Sequence, residues 1–491
     1  MSASERDPRP DQAGEGALEV ELDRPLQQEL PFGPPTALFC AGSCLHPGAR
    51  IQALRITVDG QPRTAMRGLP RRGGRTGFWV VIRIPAQTRT GEIALGLEAD
   101  LEGAGIVRST LGSIAVVPPP QPVALPGPQA GRAPMIAVCM TTCDPDVRLF
   151  RAQIDSLRGQ TDRGWICLIS DDHSTPERFD AIAATVAGDE RFILVRHERR
   201  AGFYRNFERV LRMVPPGIDL VGLCDQDDRW YPDRLAALRA AIDGAQLAYS
   251  DVRRVDAVGR VRAESLWEGR SNNHTNLASL LISNTIPGAA CLMRRHVIER
   301  ALPFPESSGW DFHDHWLALV ALALGDIAYV DRPLYDYVQH PRAVLGRATS
   351  EPLAAGAARG VRAWLARRCG VGRWRSAYFT VYLQRKLYAE ALLARCEREL
   401  TARKRRALTL VVGAERSPLG LIWLALRPAR TLAGRNETLG EEGVMVQGIL
   451  WRLVIAIRAR FGRRGANDDS GAPAFDPRPV GGRQRRWLTG S

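Results

Sequence analysis

Short apolar runs separated by Gly and Pro fill the chain between residues 36 and 117. The segment LRITVDG among them alternates apolar and polar positions and ends in an Asp-Gly pair. Alternation with a period of two before Asp-Gly is typical of a β-hairpin. Several such strands in succession predict a small all-β sandwich, which we place at residues 34–118.

The hydrophobic pattern changes after a Pro/Gly-rich linker over residues 119–133. Continuous apolar runs now alternate with segments of helical character. The runs are IAVCM (136–140), WICLIS (165–170), RFILV (191–195), IDLVGLC (218–224), AACLM (289–293) and DIAYV (326–330). Buried apolar strands that alternate with helices are typical of a mostly parallel sheet flanked by helices. We therefore predict an α/β domain over residues 134–348.

The remaining segments are polar or basic. Residues 1–33 and 465–491 are predicted to be disordered, because they are polar and rich in Pro or Gly. Residues 349–464 are predicted to form a basic helical region that contains two short apolar stretches, 419–430 and 446–464. One helical face of the second stretch carries Leu450, Trp451, Leu453, Val454, Ile457 and Phe461.

The composition is that of an ordinary globular protein. Of the 491 residues, 45% are hydrophobic and 24% are charged, which excludes a collagenous or wholly disordered chain. We expect no membrane-spanning helix, since no apolar run approaches the ~18 residues that one needs. We also expect no signal peptide, and the nine scattered cysteines then predict reduced thiols in a cytoplasmic protein.

The positive charge is concentrated at one end of the chain. Residues 351–491 contain 27 Lys and Arg against 11 Asp and Glu, a formal charge of +16, while the whole chain carries +14. Arg with Trp and Leu on amphipathic helices predicts contact with an anionic membrane surface, and so a peripheral position on the inner face of the cell membrane. A helix that packs on its own domain with a solvated Arg face is the alternative. Because no nucleic-acid-binding module accompanies the charge, we predict no nucleic-acid partner.

Polar and acidic residues follow four of the predicted strands. The segments are TTCDPD (141–146), SDDHS (170–174), HERRAGFYRNF (197–207) and CDQDDRWYPDR (224–234). Ligands of such sheets bind beyond the carboxyl ends of the strands. Asp225, Asp227 and Asp228 repel one another, so a cation would stabilise them, and carboxylates suit Mg²⁺ or Mn²⁺. A solvated acidic turn is the alternative.

Six motifs in this order carry a family resemblance: SDDHS, RNF, CDQDDRWYP, NTIPGAACLMRR, FHDHWLAL and PLYDYVQHPRAVLG. Together they resemble the inverting family 2 glycosyltransferases of the GT-A fold, over about residues 134–347. The resemblance is strongest to bacterial rhamnosyl- or galactosyl-type enzymes that build surface polysaccharide. It implies a GT-A type sheet for the predicted α/β domain.

The resemblance also implies a donor site, which contains a nucleoside-diphosphate sugar and a divalent metal ion. The residues that match donor-binding positions are Thr141, Thr142, Cys143, Asp171, Asp172, Arg205, Asn206, Asp225 and Gly288. The residues that match metal-binding positions are Asp225, Asp227 and His340. Val338 stands where the family pattern has Arg, so Arg342 or Arg347 is the substitute that we consider for a phosphate contact. A polar face over apolar neighbours is the alternative for Arg205 and Asn206, and a simple turn is the alternative for Gly288.

Asp314 matches the catalytic base of the family. An attacking hydroxyl must lose its proton, and a partly desolvated carboxylate can accept it. A zinc site at His313 and His315 is disfavoured, because residues two apart on a helix do not face each other. The resemblance thus implies a hexosyl- or deoxyhexosyltransferase that acts on a glycan or lipid-linked acceptor in cell-surface polysaccharide synthesis. The alternative is a non-catalytic sugar- or nucleotide-binding protein that keeps the fold.

Overall fold

The computed structural model describes residues 17–124, 135–267, 271–306, 312–340 and 371–461. Most of the predicted linker 119–133, all of the predicted tail 465–491, and both Arg342 and Arg347 lie outside the described residues.

Two sheets whose strands are mostly antiparallel form the N-terminal part, as the alternating pattern predicts. One has the strand order β1-β3-β7-β6 and the other β2-β9-β8-β4-β5. The strands are β1 (Glu19–Leu22), β2 (Glu29–Pro31), β3 (Thr36–Leu45), β4 (Ile51–Val58), β5 (Gln61–Thr64), β6 (Met66–Pro70), β7 (Thr76–Ile84), β8 (Gly91–Leu101) and β9 (Gly105–Val117). The predicted Asp-Gly turn joins β4 to β5, with Asp59 and Gly60 both at positive φ.

The prediction of disorder over residues 1–33 is wrong for residues 17–33. Strand β1 pairs with β3 and strand β2 pairs with β9. Leu18 and Leu30 are buried in the core of the sandwich, and Asp23 forms an ion pair with Arg71 at 2.6 Å. These few apolar anchors offset the polar composition around them. Residues 1–16 lie outside the described residues.

A mixed sheet flanked by helices forms the middle of the chain, with the strand order β12-β11-β10-β13-β17-β15-β18-β14 and β16 paired to β15. Its strands are β10 (Ile136–Thr142), β11 (Trp165–Asp171), β12 (Phe192–Arg196), β13 (Leu220–Cys224), β14 (Arg229–Trp230), β15 (Leu247–Asp256), β16 (Val261–Ala263), β17 (Cys291–Arg294) and β18 (Ile327–Gln339). Its helices are α1 (Val147–Arg158), α2 (Pro176–Val186), α3 (Phe203–Arg212), α4 (Arg234–Ala241), α5 (Leu277–Ile282), α6 (Arg295–Ala301) and α7 (His313–Leu324).

Four neighbouring strands of this sheet, β10 to β13, run parallel. Their carboxyl ends therefore lie along one edge, as predicted. The next strand in the sheet, β17, runs antiparallel to β13 and β15. All six predicted apolar runs coincide with strands, whereas β15 was not predicted because polar residues interrupt its sequence LAYSDVRRVD.

Helices make up the described C-terminal part, as predicted. They are α8 (Val371–Ala377), α9 (Leu383–Arg395), α10 (Ala402–Gly413), α11 (Pro418–Leu426) and α12 (Glu441–Phe461), and a π-helical turn at Tyr378–Tyr382 joins α8 to α9. Within the described ranges, no single helix meets the length and hydropathy criteria for spanning a membrane. The segments Ala402–Gly413 and Pro418–Arg430, bent by 108°, meet those criteria only as a pair.

The predicted apolar face of helix α12 is divided between two environments. Leu450, Val454 and Ile457 are exposed, but Trp451 is only 5% exposed. The Trp451 ring stacks on Trp79 of β7 at a centroid distance of 6.0 Å. The Trp79 indole also donates a hydrogen bond to the hydroxyl of Tyr378 at 3.2 Å. Trp451 therefore joins the sandwich to the helical region and does not belong to an exposed face.

Arg395 holds three parts of the chain together. Its guanidinium is 4% exposed and donates to the carbonyls of Pro35, Ala301 and Pro303 at 2.5, 2.5 and 2.6 Å. These acceptors belong to the sandwich edge and to the segment that follows α6, while Arg395 itself ends α9. Burial lowers the pKa of Arg395 to about 10, which still leaves the side chain charged at neutral pH.

We expect Arg395→Met to destabilise the protein by about 3–5 kcal/mol, because it leaves several buried carbonyls without a donor. Arg398→Met is the matched control, since Arg398 lies three residues away and is exposed. Denaturant unfolding of both variants measures the difference. Equal stability of the two variants would contradict the structural role of Arg395.

Candidate active site

The carboxyl ends of β10, β11 and β13 bring three of the predicted polar segments together, because β10 lies between the other two strands. The backbone N–H of Cys143, after β10, donates to Oε1 of Gln226, after β13, at 2.9 Å. The hydroxyl of Thr142 donates to Oδ1 of Asp171, at the end of β11, at 2.9 Å. Hydrogen bonds thus join the three segments at this edge of the sheet.

Asp171 is fully buried and fixes the loop that follows β11. Besides the Thr142 hydroxyl, it accepts hydrogen bonds from the Ser174 backbone N–H at 2.9 Å and from the Ser174 hydroxyl at 2.5 Å. Its contacts are those of a residue that holds two loops together. Thr142 is also buried, whereas Thr141 and Cys143 are partly exposed.

Asp172 is 2% exposed and contacts the start of helix α3. Its two oxygens accept from the backbone N–H groups of Ala201 and Gly202 at 2.7 and 2.8 Å, and the Arg209 guanidinium lies 3.2 Å from Oδ1. The carboxylate therefore orders the loop between β12 and α3. That it also binds a nucleoside base remains a prediction.

Arg205 and Asn206 serve to fix helix α3. The Asn206 side chain accepts from the Ser170 hydroxyl at 2.6 Å and donates to the Ser170 carbonyl at 2.9 Å. Arg205 forms ion pairs with Glu208 and, at 3.5 Å, with Glu306. No hydrogen bond or ion pair in the described part of the chain joins either side chain to the acids after β13. These contacts are structural, and a role of either residue in donor binding stays a prediction.

The acids that follow β13 are crowded. Burial, together with the charges of Asp227 and Asp314, raises the pKa of Asp225 to about 7. Asp228 is 1% exposed, and burial beside Asp225 raises its pKa well above the usual range. One oxygen of Asp228 accepts from the Val338 N–H at 3.3 Å, and the other has no hydrogen-bond partner among the described residues.

Asp227 is paired with the predicted late histidine. Its Oδ2 lies 2.8 Å from Nε2 of His340, at the end of β18, and both side chains are partly exposed. The structure thus joins two of the three predicted metal-binding residues, although they are more than one hundred positions apart in the sequence. Sequence spacing alone does not reveal such a contact.

Asp314 lies in the first turn of α7 and close to the acids after β13, since its charge contributes to the raised pKa of Asp225. Its carboxylate accepts from the His315 N–H at 2.6 Å and from the Gly288 N–H at 3.3 Å. Burial raises its pKa to about 6. A carboxyl group held in this way is ionised at neutral pH but more basic than an ordinary aspartate.

Gly288 allows this arrangement because it lacks a side chain. A Cβ on this residue would lie 2.9 Å from Nε2 of His313 and 3.1 Å from Cβ of Asp314. His313 stacks on the Phe207 ring at 3.5 Å, and His315 bonds the Leu280 carbonyl at 2.7 Å. The two histidines thus contact different elements, which agrees with the prediction that they do not form a metal site.

Arg234 also contributes to the charge balance of the site, although no sequence motif predicts this role. It is fully buried, its guanidinium lies over the Trp230 ring at 3.7 Å, and it donates to the Ala289 carbonyl. Its positive charge opposes part of the rise in the Asp228 pKa. Trp230 is 2% exposed, so it packs in the core. A buried arginine beneath an acidic cluster has no sequence signal other than its nearness to the acids.

Carboxylate and imidazole groups, which are the types of side chain that bind divalent cations, lie at this edge of the sheet. Within the described ranges, no three His, Cys, Asp or Glu side chains converge closely enough to enclose an ion by themselves. Mg²⁺ and Mn²⁺ are commonly held by one or two carboxylates, with substrate phosphate oxygens completing the shell. Asp225, Asp227 and His340 would hold the ion. The pKa of Asp225 is raised by burial and by the charges of Asp227 and Asp314, and a cation would favour its ionised form.

A family model named glycosyl transferase family 2 matches residues 138–302, which include β10 through α6. Over these residues the chain is similar to glycosyltransferase family 2. Its fold, a mixed α/β sheet flanked by helices between a β-sandwich and a helical region, is the class predicted from the sequence. No curated protein sequence matches the chain significantly.

Solved structures resemble the chain only distantly. Residues 1–349 of S. aureus TarS in complex with UDP-GlcNAc match with 15% identity and a TM-score of 0.40, over 67% of this chain and 92% of that one. The Pyrobaculum calidifontis mannosyltransferase PcManGT, in complex with GDP-Man and Mn²⁺, matches with 17% identity and a TM-score of 0.33, over 70% of this chain and 91% of that one. At these values the likenesses assign no substrate or metal to this protein.

We expect Mn²⁺ to raise the melting temperature of the protein more at about pH 8 than at about pH 5. In the absence of a cation, raised pKa values mean that the acids destabilise the fold as the pH rises through those values. A cation binds the ionised acids and reverses this loss of stability. At saturation it should raise the melting temperature by roughly 5 °C. Asp227→Asn should abolish the shift and Asp180→Asn, at an exposed site on α2, should keep it. A shift that is equal at both pH values would contradict binding to these acids.

We also expect Gly288→Ala to lower activity by roughly a hundredfold, because the added methyl displaces the Asp314 carboxylate from its place. Gly259→Ala is the control, since Gly259 lies at positive φ in an exposed turn, where alanine strains the backbone away from the site. Steady-state rates and melting curves of both variants separate the two effects. Normal turnover by Gly288→Ala would show that this contact does not position Asp314.

Proposed function

We propose that this protein is a metal-dependent, inverting glycosyltransferase. It would move a hexosyl or deoxyhexosyl group from a nucleoside-diphosphate sugar to a hydroxyl of a glycan or lipid-linked acceptor, in cell-surface polysaccharide synthesis. The observation that carries the proposal is the closeness of Asp314, on α7, to the crowded acids after β13 in a family 2 domain. One of these carboxylates can then serve as a base while the others hold a cation.

The cation would be held by Asp225, Asp227 and His340 and would neutralise charge on the departing diphosphate, as a Lewis acid. Asp228 is buried beside Asp225 with a raised pKa, so a bound cation would favour its ionised form. The surface formed by Thr141, Cys143 and Gln226 borders the acids and is partly exposed, so it offers room for the nucleotide. The proposal leaves the base and the sugar of the donor open.

Asp314 would act as the general base. An acceptor hydroxyl that approaches the anomeric carbon loses its proton to the Asp314 carboxylate, the new C–O bond forms, and the bond to the diphosphate breaks. Attack from the face opposite the leaving group inverts the anomeric configuration. The backbone N–H groups of Gly288 and His315 orient the carboxylate, and its raised pKa of about 6 makes it a better proton acceptor than an exposed aspartate.

A panel of nucleotide sugars, incubated with the protein and Mn²⁺, tests the proposal. Release of a nucleoside diphosphate with one donor, increased by an acceptor, is the expected result. NMR of the product should then show an inverted anomeric centre. Tight binding of a donor with no turnover on any acceptor would instead favour the alternative, a binding protein that keeps the fold.

We expect Asp314→Asn to lose transfer by roughly a thousandfold while keeping donor affinity, because the amide cannot accept the proton. Asp227→Asn should instead lose Mn²⁺-dependent donor binding. Asp180→Asn, at an exposed site, is the control for both. Initial rates and donor titrations distinguish the three. Normal transfer by Asp314→Asn would refute its role as the base.

The rate of transfer should rise with pH through about pH 6, since the Asp314 carboxyl must be ionised to accept a proton and its pKa is raised to about 6. Below that pH the carboxyl is neutral and cannot act as a base. A profile of the rate at saturating donor and acceptor measures this acid limb. A rate that stays flat down to about pH 4, the ordinary range of aspartate, would contradict the assignment.

A further inference from the structure

Helix α11 has one face that nothing in the described part of the chain covers. Leu419, Ile422 and Leu426 on this face are 73%, 52% and 67% exposed. They are spaced at i, i+3 and i+7, so they form one stripe along the helix, which we call the apolar stripe. On the opposite side, Gly420 and Leu424 are buried. The helix is therefore packed on one side and bare on the other.

A groove of about 590 Å³ lies beside this helix, between α10, α11 and the start of α5. We call it the arginine groove, because five arginines line it: Arg403, Arg406, Arg427, Arg430 and Arg435. The apolar side chains of Leu410 and Trp423 also line it. It therefore combines positive charge with apolar surface.

The charges of the groove are only partly neutralised. Arg427 pairs with Glu442 at 3.5 Å and Arg430 pairs with Glu437 at 2.6 Å. Arg403, Arg406 and Arg435 are exposed and form no ion pair with any described residue. The groove thus carries an excess of about three positive charges, which an anion would complement.

The apolar stripe and the arginine groove border each other. Ile422 of the stripe precedes Trp423 of the groove, and Leu426 precedes Arg427. Adjacent residues on an α-helix point about 100° apart, so the groove lies directly beside the stripe. The close packing of α11 on α10, where a Cβ on Gly420 would lie 2.6 Å from the Leu410 carbonyl, fixes this arrangement.

We propose that the apolar stripe and the arginine groove form a docking surface for a bilayer that contains anionic lipids. The stripe enters the boundary between headgroups and acyl chains, and the groove binds lipid phosphates. Cationic and apolar side chains side by side match this interface, where both parts of a lipid are presented together. A nucleic acid would leave the stripe without a partner, and a symmetric contact with a second copy would place the uncompensated arginines against each other.

This surface differs from the apolar face predicted on α12, where Trp451 is buried. The docking surface is also connected to α7, the helix that carries Asp314. Lys404 of α10 donates to the carbonyls of Leu322 and Gly325, at the end of α7 opposite Asp314, at 2.6 and 3.3 Å. The membrane contact itself does not depend on the proposed transferase function.

Co-sedimentation of the full chain with vesicles tests the proposal. Vesicles of phosphatidylcholine alone are compared with vesicles that also contain phosphatidylglycerol. We expect binding to the anionic vesicles only, and slower hydrogen exchange in residues 418–435 when they are present. Binding that does not depend on phosphatidylglycerol, or unchanged exchange in this segment, would overturn the proposal.

Two triple variants and two controls refine the test. A triple variant that replaces Arg403, Arg406 and Arg435 by Gln should weaken vesicle binding by roughly a hundredfold, because each arginine should contribute about fivefold to the affinity. Leu419→Ser, Ile422→Ser and Leu426→Ser together should also weaken it. The charge control replaces the exposed Arg50, Arg63 and Arg89 of the sandwich by Gln, and the apolar control is Val258→Ser, at a residue 74% exposed.

The remaining outcomes also decide the question. An equal loss of binding in the charge control would indicate attraction by net charge alone and would overturn the docking surface. If the triple serine variant changes the oligomeric mass measured by light scattering but leaves vesicle binding unaltered, the stripe contacts a second copy of the chain. Competition by inorganic phosphate without any vesicle binding would assign the groove to a soluble anion. Melting curves confirm that each variant is folded, and a melting temperature equal to that of the unaltered protein is expected because all of the substituted residues are exposed.

Discussion

The crowding of four carboxylates, one buried and three partly exposed, is the constraint on which the site depends. The fold places Asp225, Asp227, Asp228 and Asp314 together at one edge of the sheet. In the described part of the chain, Arg234 lies near Asp228 and His340 contacts Asp227. Such an arrangement is costly without a cation, because burial and the charges of Asp227 and Asp314 raise the pKa of Asp225, while burial raises the pKa of Asp314. A site that destabilises the apoprotein in this way is well prepared to bind a metal ion with an anionic substrate.

The surrounding structure holds these acids in place against their repulsion. Three parallel strands bring their carboxyl ends to one edge, Asp171 and Asp172 fix the loops there, and α7 presents Asp314 from the other side of the site. The helical region supports α7 in turn, since Tyr388 of α9 packs on His315 and Trp316, and Arg395 joins this region to the sandwich. Residues far from the site therefore contribute to its geometry.

Local sequence patterns predict the strands and turns that depend on interactions within a few residues. Apolar runs marked six strands, and the Asp-Gly pair marked a hairpin, because burial and turn geometry act over a few residues. The pairing of Asp227 with His340 and the buried Arg234 depend on long-range folding, so spacing in the sequence does not reveal them. Asp172, Arg205 and Asn206 matched family positions, yet their contacts in the structure are those of loop and helix anchors. Trp451 shows the same limit, since a helical stripe does not tell an exposed face from a domain junction.

Calorimetric titration with a panel of nucleoside diphosphates, in Mn²⁺ and in EDTA, measures whether donor binding depends on a metal ion held by these acids. We predict that one nucleoside diphosphate binds in Mn²⁺ at about pH 8, and that its affinity falls steeply in EDTA and at about pH 5, where protons compete for the acids. Equal affinity with and without the cation, at both pH values, would contradict the claim that these carboxylates form a metal-dependent donor site.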